Sequence, residues 1–181
     1  MKNLSKIKYA FLFVSLLLSV NSAIAKDEVL NKVNYSPSNL PKFKDFPSLE
    51  VYKGKVAAVD LKSYPEAHKY RTRLQDGVKV GPNFAGHYVV VTIGCGANCQ
   101  SQWIVDANNG KVLGRFFSSL GASYRIDSTL LILNPPTGEL KQKYKESPNA
   151  RFLKEETSYL SWEKGQPKLI YKETLPNLLK E

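Results

Sequence analysis

Short runs of alternating hydrophobic and polar residues fill the second half of the chain. Four runs are rich in β-branched or aromatic residues, and Gly, Asn or Pro separates each from the next. They predict strands at residues 87–93, 102–106, 111–117 and 129–133. Asn109-Gly110 predicts a tight turn between the second and third strands, and residues 159–162 and 169–171 flank another turn. Because hairpins pair strands antiparallel, we predict a mainly β chain, borderline α+β, with one meander sheet of about five to seven strands.

A different periodicity precedes these strands and predicts one N-terminal helix near residues 64–75. Ser63 and Glu66 have the spacing of a capping box, with Pro65 inside the first turn. Asp76-Gly77 follows as a stop signal. The positions that share one helical face are Ala67, Tyr70, Arg71 and Leu74.

The first 25 residues have the pattern of a cleavable secretory signal peptide. Three lysines precede an apolar run at residues 9–20, and Ala23-Ile24-Ala25 then supplies the small residues that signal peptidase accepts. The alternative is a membrane anchor, but a transmembrane span needs about 20 apolar residues, and the run at residues 9–20 is shorter than that. We therefore expect cleavage between Ala25 and Lys26, a periplasmic or secreted location and no transmembrane span in the mature chain. Pro-punctuated residues 26–48 predict an extended arm, and residues 49–181 a single globular domain.

Net charge narrows the choice of partners. The full chain carries +10, and removing the three lysines of the leader leaves 23 basic against 16 acidic residues, or +7. This excess suits a well-solvated surface, or attraction to an anionic cell-envelope component or an envelope protein. No nucleic-acid recognition motif is present, so nucleic acid is not an expected partner.

Two cysteines, Cys95 and Cys99, flank three residues between two predicted strands. In an exported protein this spacing predicts a disulfide that clamps a hairpin tip. The alternatives are a redox pair, which usually has two intervening residues at a helix N-terminus, and a metal or nucleophile site shared with His87. His87 and Cys95 are eight residues apart on one strand, roughly 27 Å at strand rise. We therefore predict no metal, no cofactor and no catalytic residue here.

Asn83 and His87 remain as candidate ligand contacts beside the first strand. Two hypotheses follow. The first is an exported β-rich binding or inhibitor-type module of the cell envelope. The second is a small hydrolase-like periplasmic enzyme that uses the Asn83/His87 neighbourhood, with Asp60, Glu66 or Arg71 contributed from elsewhere. A metal held by imidazoles would need His68 and His87, the only histidines, to converge.

A set of short motifs surrounds the two cysteines: Asn83-Phe-Ala-Gly-His-Tyr88, Gly94-Cys-Gly96, Cys99, Ile104-Val-Asp-Ala107, Gly110-Lys-Val112, Asp127-Ser-Thr-Leu-Leu131 and the Trp162 hairpin. With these motifs the chain resembles a family of uncharacterised secreted or periplasmic proteins of Gram-negative bacteria. The resemblance covers roughly residues 50–172 and implies export and a single domain, but it assigns no site residue.

Overall fold

The hairpin that carries the two cysteines begins a three-stranded antiparallel sheet. We describe residues 33–147 and 154–179 from a computed structural model. Strands β1 (Tyr88–Gly96), β2 (Cys99–Asp106) and β3 (Val112–Ser118) lie side by side in chain order. Val89 pairs with Val105 and Val91 with Trp103, the register that placing the two cysteines opposite each other predicts.

The tight turn between β2 and β3 is confirmed. Gly110 has a φ of +75°, and a Cβ there would lie 1.9 Å from the carbonyl oxygen of Ala58. Only glycine tolerates both the left-handed backbone and this close approach. The turn therefore also holds the segment before the helix against the sheet.

A second antiparallel sheet has the order β4 (Ala122–Ser123), β5 (Leu130–Leu133), β6 (Glu156–Glu163) and β7 (Gln166–Thr174). Lys164 and Gly165 make the predicted β6–β7 turn with φ values of 51° and 79°, as a two-residue type I′ turn requires. The mainly β fold is thus confirmed. Its seven strands divide between two sheets, although the sequence led us to expect one meander.

The two sheets pack face to face. Val90 and Ile104 from the first sheet share a core with Leu131 and Leu160 from the second. Trp162 fills the centre, with its ring 5.6 Å from that of Tyr88. The part of β1 and β2 that carries Tyr88, Val90 and Ile104 is therefore interior, because the second sheet covers it.

Helical turns cover the outer face of the first sheet. A 3₁₀ turn at Ala67–Tyr70 leads into α1 (Arg71–Gly77), and Ala67 and Leu74 are fully buried against this face. The predicted capping box is wrong. The hydroxyl of Ser63 donates to the Asp60 carbonyl at 2.5 Å and accepts from the backbone N–H of Val112 at 2.8 Å. The carboxylate of Glu66 pairs with an arginine of β3 instead.

The other side of the molecule is covered by the chain that precedes the first sheet. Tyr35–Glu181 is one compact unit. Within it Leu40, Phe43 and Phe46 pack against the outer face of the second sheet, next to Tyr159.

Two further helices, α2 (Gly138–Glu146) and α3 (Leu175–Leu179), pack on each other through Leu140, Leu175 and Leu179.

The predicted export signal lies outside the described residues, as do its predicted cleavage position at Ala25–Lys26 and the first part of the predicted arm. Of the helices in residues 33–147 and 154–179, none is long and apolar enough to cross a membrane.

Candidate ligand-binding site

The two cysteines form the predicted disulfide at the tip of the β1–β2 hairpin, with their Cα atoms 5.0 Å apart. Below the tip the register shifts between Gly94 and Gly96, so Cys95 lies in a bulge. Residues Gly94–Asn98 are exposed, so the bond clamps a surface hairpin and does not lie in the core. A disulfide-bonded chain is compatible with a periplasmic or extracellular location.

The structure gives Asn83 a role in the fold. Its carboxamide oxygen accepts from the backbone N–H of Val90 at 2.7 Å, and its Nδ2 donates to the Val90 carbonyl at 3.2 Å. The side chain thus imitates a neighbouring strand on the free edge of β1. Both polar atoms of Asn83 are used in this way, although the residue also borders a wide depression beside Arg125 and Asp127.

His87 is half-buried at the start of β1. Its carbonyl accepts from Ala107, and its ring lies 4.0 Å from that of Tyr88, centre to centre. Burial raises the pKa of Tyr88 above that of an exposed tyrosine. The enzyme hypothesis also invoked Asp60, whose carboxylate accepts a hydrogen bond from the backbone N–H of Lys62.

A different site combines charge, aromatic rings and an open cavity. A groove of about 600 Å³ lies on the outer face of the first sheet, where β3 meets the turn before α1. We call it the arginine groove. Its lining residues are Tyr64, Pro65, Glu66, Arg115 and Phe117.

An extra residue in β3 points Arg115 into this groove. Ile104 pairs with Gly114 but Val105 pairs with Val112, so Leu113 is a bulge residue. Val112 and Arg115 therefore face the same side although they are three positions apart, which a regular strand does not allow.

Arg115 forms the floor of the groove. Its side chain is only 10% exposed. The guanidinium carbon lies 4.8 Å from the ring centre of Trp103, 4.9 Å from that of Tyr70 and 4.5 Å from that of Phe117. These distances are within the range of cation–π attraction, so three rings surround one buried positive charge.

Hydrogen bonds use only part of the N–H donor capacity of the Arg115 guanidinium. One terminal nitrogen donates to the Glu66 carboxylate in an ion pair, and the other donates to the Tyr70 hydroxyl at 3.1 Å. The Nε atom is buried and has no acceptor among the described residues. Arginine has five N–H donors in a planar fork, so the protein leaves part of the donor capacity of Arg115 unused.

The inner wall of the groove is rigid. Trp103 is fully buried, and its indole N–H donates to the Ser101 hydroxyl at 3.0 Å. Tyr64 meets the Trp103 ring edge-on at 5.6 Å. Ser63 ties this part of the chain to β3 through Val112. Contacts within the protein therefore hold this side of the groove in place.

The outer wall is Phe117, a residue that is 58% exposed. Among the described residues it is the only Phe, Tyr or Trp that is mostly open to solvent. Aromatic residues and arginine are enriched in protein interfaces relative to the rest of the surface.

The sequence analysis did not single out Arg115 or Phe117. Both belong to a predicted strand, and alternation alone places them on one face without saying what covers it. An arginine inside an apolar run, two positions before a second aromatic residue, is the only local signal.

The residues needed for a metal centre are not assembled in the part of the chain that the structure describes. No group of three or more His, Cys, Asp or Glu side chains there is arranged to hold a metal ion.

Comparisons with protein-family models, with curated proteins and with solved structures found no match for the chain. The resemblance to a secreted Gram-negative family therefore stays a prediction.

Proposed function

We propose that this chain is an exported binding module of the bacterial cell envelope, and that it holds its ligand or partner in the arginine groove. The observation that supports the proposal is the exposed ring of Phe117 over the buried and incompletely hydrogen-bonded Arg115. Export rests on the leader pattern and on the disulfide that it anticipates.

The charge of the surroundings favours an anionic ligand or partner. Residues 60–80, which include the turn before α1, carry five Lys and Arg against three Asp and Glu. Basic residues near a binding groove raise the local concentration of anionic ligands and accelerate their association. Anionic envelope polymers, lipid head groups and acidic envelope proteins all meet this requirement.

The hypothesis of an enzyme at Asn83 and His87 stays a prediction. The hydrogen bonds from Asn83 to Val90 account for both of its polar atoms, and they give it a task in the fold that needs no substrate. We therefore place the candidate site at Arg115 and Phe117.

A pair of matched variants tests the proposal. Phe117 and Leu169 are both 58% exposed, but Leu169 is in β7 of the other sheet. The full chain, Phe117→Ser and Leu169→Ser are sedimented with purified cell-wall sacculi and with phosphatidylglycerol vesicles, and each is used to capture proteins from an envelope extract.

We expect at least one of these materials to retain the full chain and Leu169→Ser equally. Phe117→Ser should bind at least about five-fold more weakly, because an aromatic contact that the ligand buries contributes on the order of 1 kcal/mol or more. Equal retention of both variants, or retention by none of the materials, would overturn the proposed function.

A further inference from the structure

We infer that Glu66 occupies the place of a ligand's carboxylate, and that the arginine groove takes a carboxylate-bearing ligand whose apolar or ring-shaped part stacks on Phe117. This inference rests on the proposed function and names the chemistry of its ligand. Glu66 is then an internal competitor that the ligand displaces from Arg115.

The hydrogen bonding of Arg115 supports an exchange of carboxylates. Glu66 reaches a single terminal nitrogen, while the other terminal nitrogen donates to the Tyr70 hydroxyl and to no carboxylate among the described residues. Arginine binds a carboxylate best through two parallel N–H donors. A carboxylate that is not tethered to the backbone at position 66 can take up such a two-point contact.

Glu66 is free to leave. Its side chain is 49% exposed, compared with 10% for Arg115. Because its carboxylate is already partly hydrated, it can turn fully into solvent. An ion pair whose carboxylate is half-solvated contributes less than a fully buried pair. The exchange also conserves charge, because one carboxylate replaces another beside the buried guanidinium.

The rings define the rest of the ligand. Phe117 covers Arg115 on one side, with its ring centre 4.5 Å from the guanidinium carbon, and is otherwise largely open to solvent. Pro65 is also exposed and lines the same groove. A flat or apolar group attached to the carboxylate can therefore stack on the open face of Phe117.

Small probes test the inference without any assumption about the natural ligand. Phenylacetate carries a ring and a carboxylate, phenylacetamide is its neutral analogue, and benzylphosphonate replaces the carboxylate with a phosphonate. Each is titrated into the ¹⁵N-labelled full chain while the indole N–H signal of Trp103 is followed. Trp103 lies 4.8 Å from the guanidinium carbon, and a Trp162→Phe variant identifies its signal, since the chain has two tryptophans.

We expect phenylacetate to shift the Trp103 signal in a saturable way and phenylacetamide not to do so at the same concentrations. Glu66→Gln should bind phenylacetate about two- to five-fold more tightly, because the weak internal ion pair no longer competes. Arg115→Lys should bind it at least about five-fold more weakly, because lysine lacks the planar fork. If Arg115→Lys does not fold, Phe117→Ala tests the same groove at an exposed position. It should also weaken the binding of phenylacetate.

The control for net charge is Glu139→Gln, an exposed glutamate paired with Lys143 in α2. The inference is overturned if Glu66→Gln does not tighten binding, or if Glu139→Gln tightens it as much. It is equally overturned if phenylacetamide shifts Trp103 as phenylacetate does, or if only benzylphosphonate binds. In those cases Phe117-dependent retention on envelope material would still support the proposed function.

Discussion

Glu66 and Arg115 are 49 positions apart in the chain and form an ion pair across the boundary between the turn before α1 and strand β3. The pair joins a half-exposed carboxylate to a guanidinium that three aromatic rings enclose. It therefore links the covering layer of the first sheet to the sheet itself, at the point where the arginine groove opens.

The first prediction concerns the strength of this link. In a double-mutant cycle of Glu66→Gln and Arg115→Met, we expect a coupling of about 0.5–1 kcal/mol in the free energy of unfolding, because one partner is solvated. Arg115→Met alone should cost roughly 1–2 kcal/mol, since it also loses the cation–π contacts. Urea unfolding followed by circular dichroism measures these values. A coupling indistinguishable from zero would show that the ion pair does not stabilise the fold.

Asn83 offers a second prediction. Asn83→Ala leaves the N–H and carbonyl of Val90 without their partner on the edge of β1. The free energy of unfolding should fall by about 1–3 kcal/mol. Asn83→Asp keeps an acceptor for the Val90 N–H and should lose less. If Asn83→Ala unfolds at the same urea concentration as the full chain but loses binding to envelope material, the residue is a ligand contact after all.

A third prediction concerns the disulfide. The Cys95–Cys99 bond closes a very small loop, so chain entropy gives at most about 2 kcal/mol. We expect Cys95→Ser/Cys99→Ser to fold and to keep the aromatic bands of its near-ultraviolet circular dichroism, because buried Ile93 and Ser101 maintain the register below the tip. Its free energy of unfolding should fall by roughly 1–2 kcal/mol. Mass spectrometry without reduction checks the bond in the exported protein. Two free thiols there, or collapse of the fold in the double variant, would contradict this account.

The fourth prediction is a pH dependence. Burial, with a smaller contribution from Tyr171, raises the pKa of Tyr159 from 10.0 to about 12. Between these values the folded chain keeps a proton that the unfolded chain releases. The free energy of unfolding should therefore fall as the pH rises from about 10 towards 12, by at most about 1.4 kcal/mol per pH unit.

Tyr159→Phe removes this contribution, while the deprotonation of lysines over the same range affects both proteins. The measurement is thus the difference between the two proteins in urea unfolding at pH 9, 10 and 11. We expect the phenylalanine variant to gain relative to the full chain as the pH rises. Parallel stability curves would show that Tyr159 has an ordinary pKa in the folded state.

Most strands follow directly from local patterns. The register of β1 and β2 could be predicted because the two cysteines fix which residues face each other, and Val91 opposite Trp103 follows by counting. The Asn109-Gly110 turn and the β6–β7 turn were predictable because a left-handed backbone restricts the residue types that form them.

The partners of individual polar side chains were not predictable. Ser63 and Glu66 have the spacing of a capping box, yet Ser63 bonds to Asp60 and Val112 while Glu66 bonds to Arg115. Both long-range partners are in β3, 49 positions away in each case, and a local pattern carries no information about contacts over that distance. The same limit applies to Asn83, whose side chain completes the edge of a strand.

The sequence by itself therefore determined the mainly β composition, the hairpins, the disulfide and the pattern of an export signal, because each depends on residues close together in the chain. Only the tertiary structure decided that the strands form two packed sheets and that a bulge at Leu113 turns Arg115 towards Trp103. The arginine groove depends on that bulge and on the covering turn. Its residues come together because the sheet buries its outer face, and burial is a property of the whole fold.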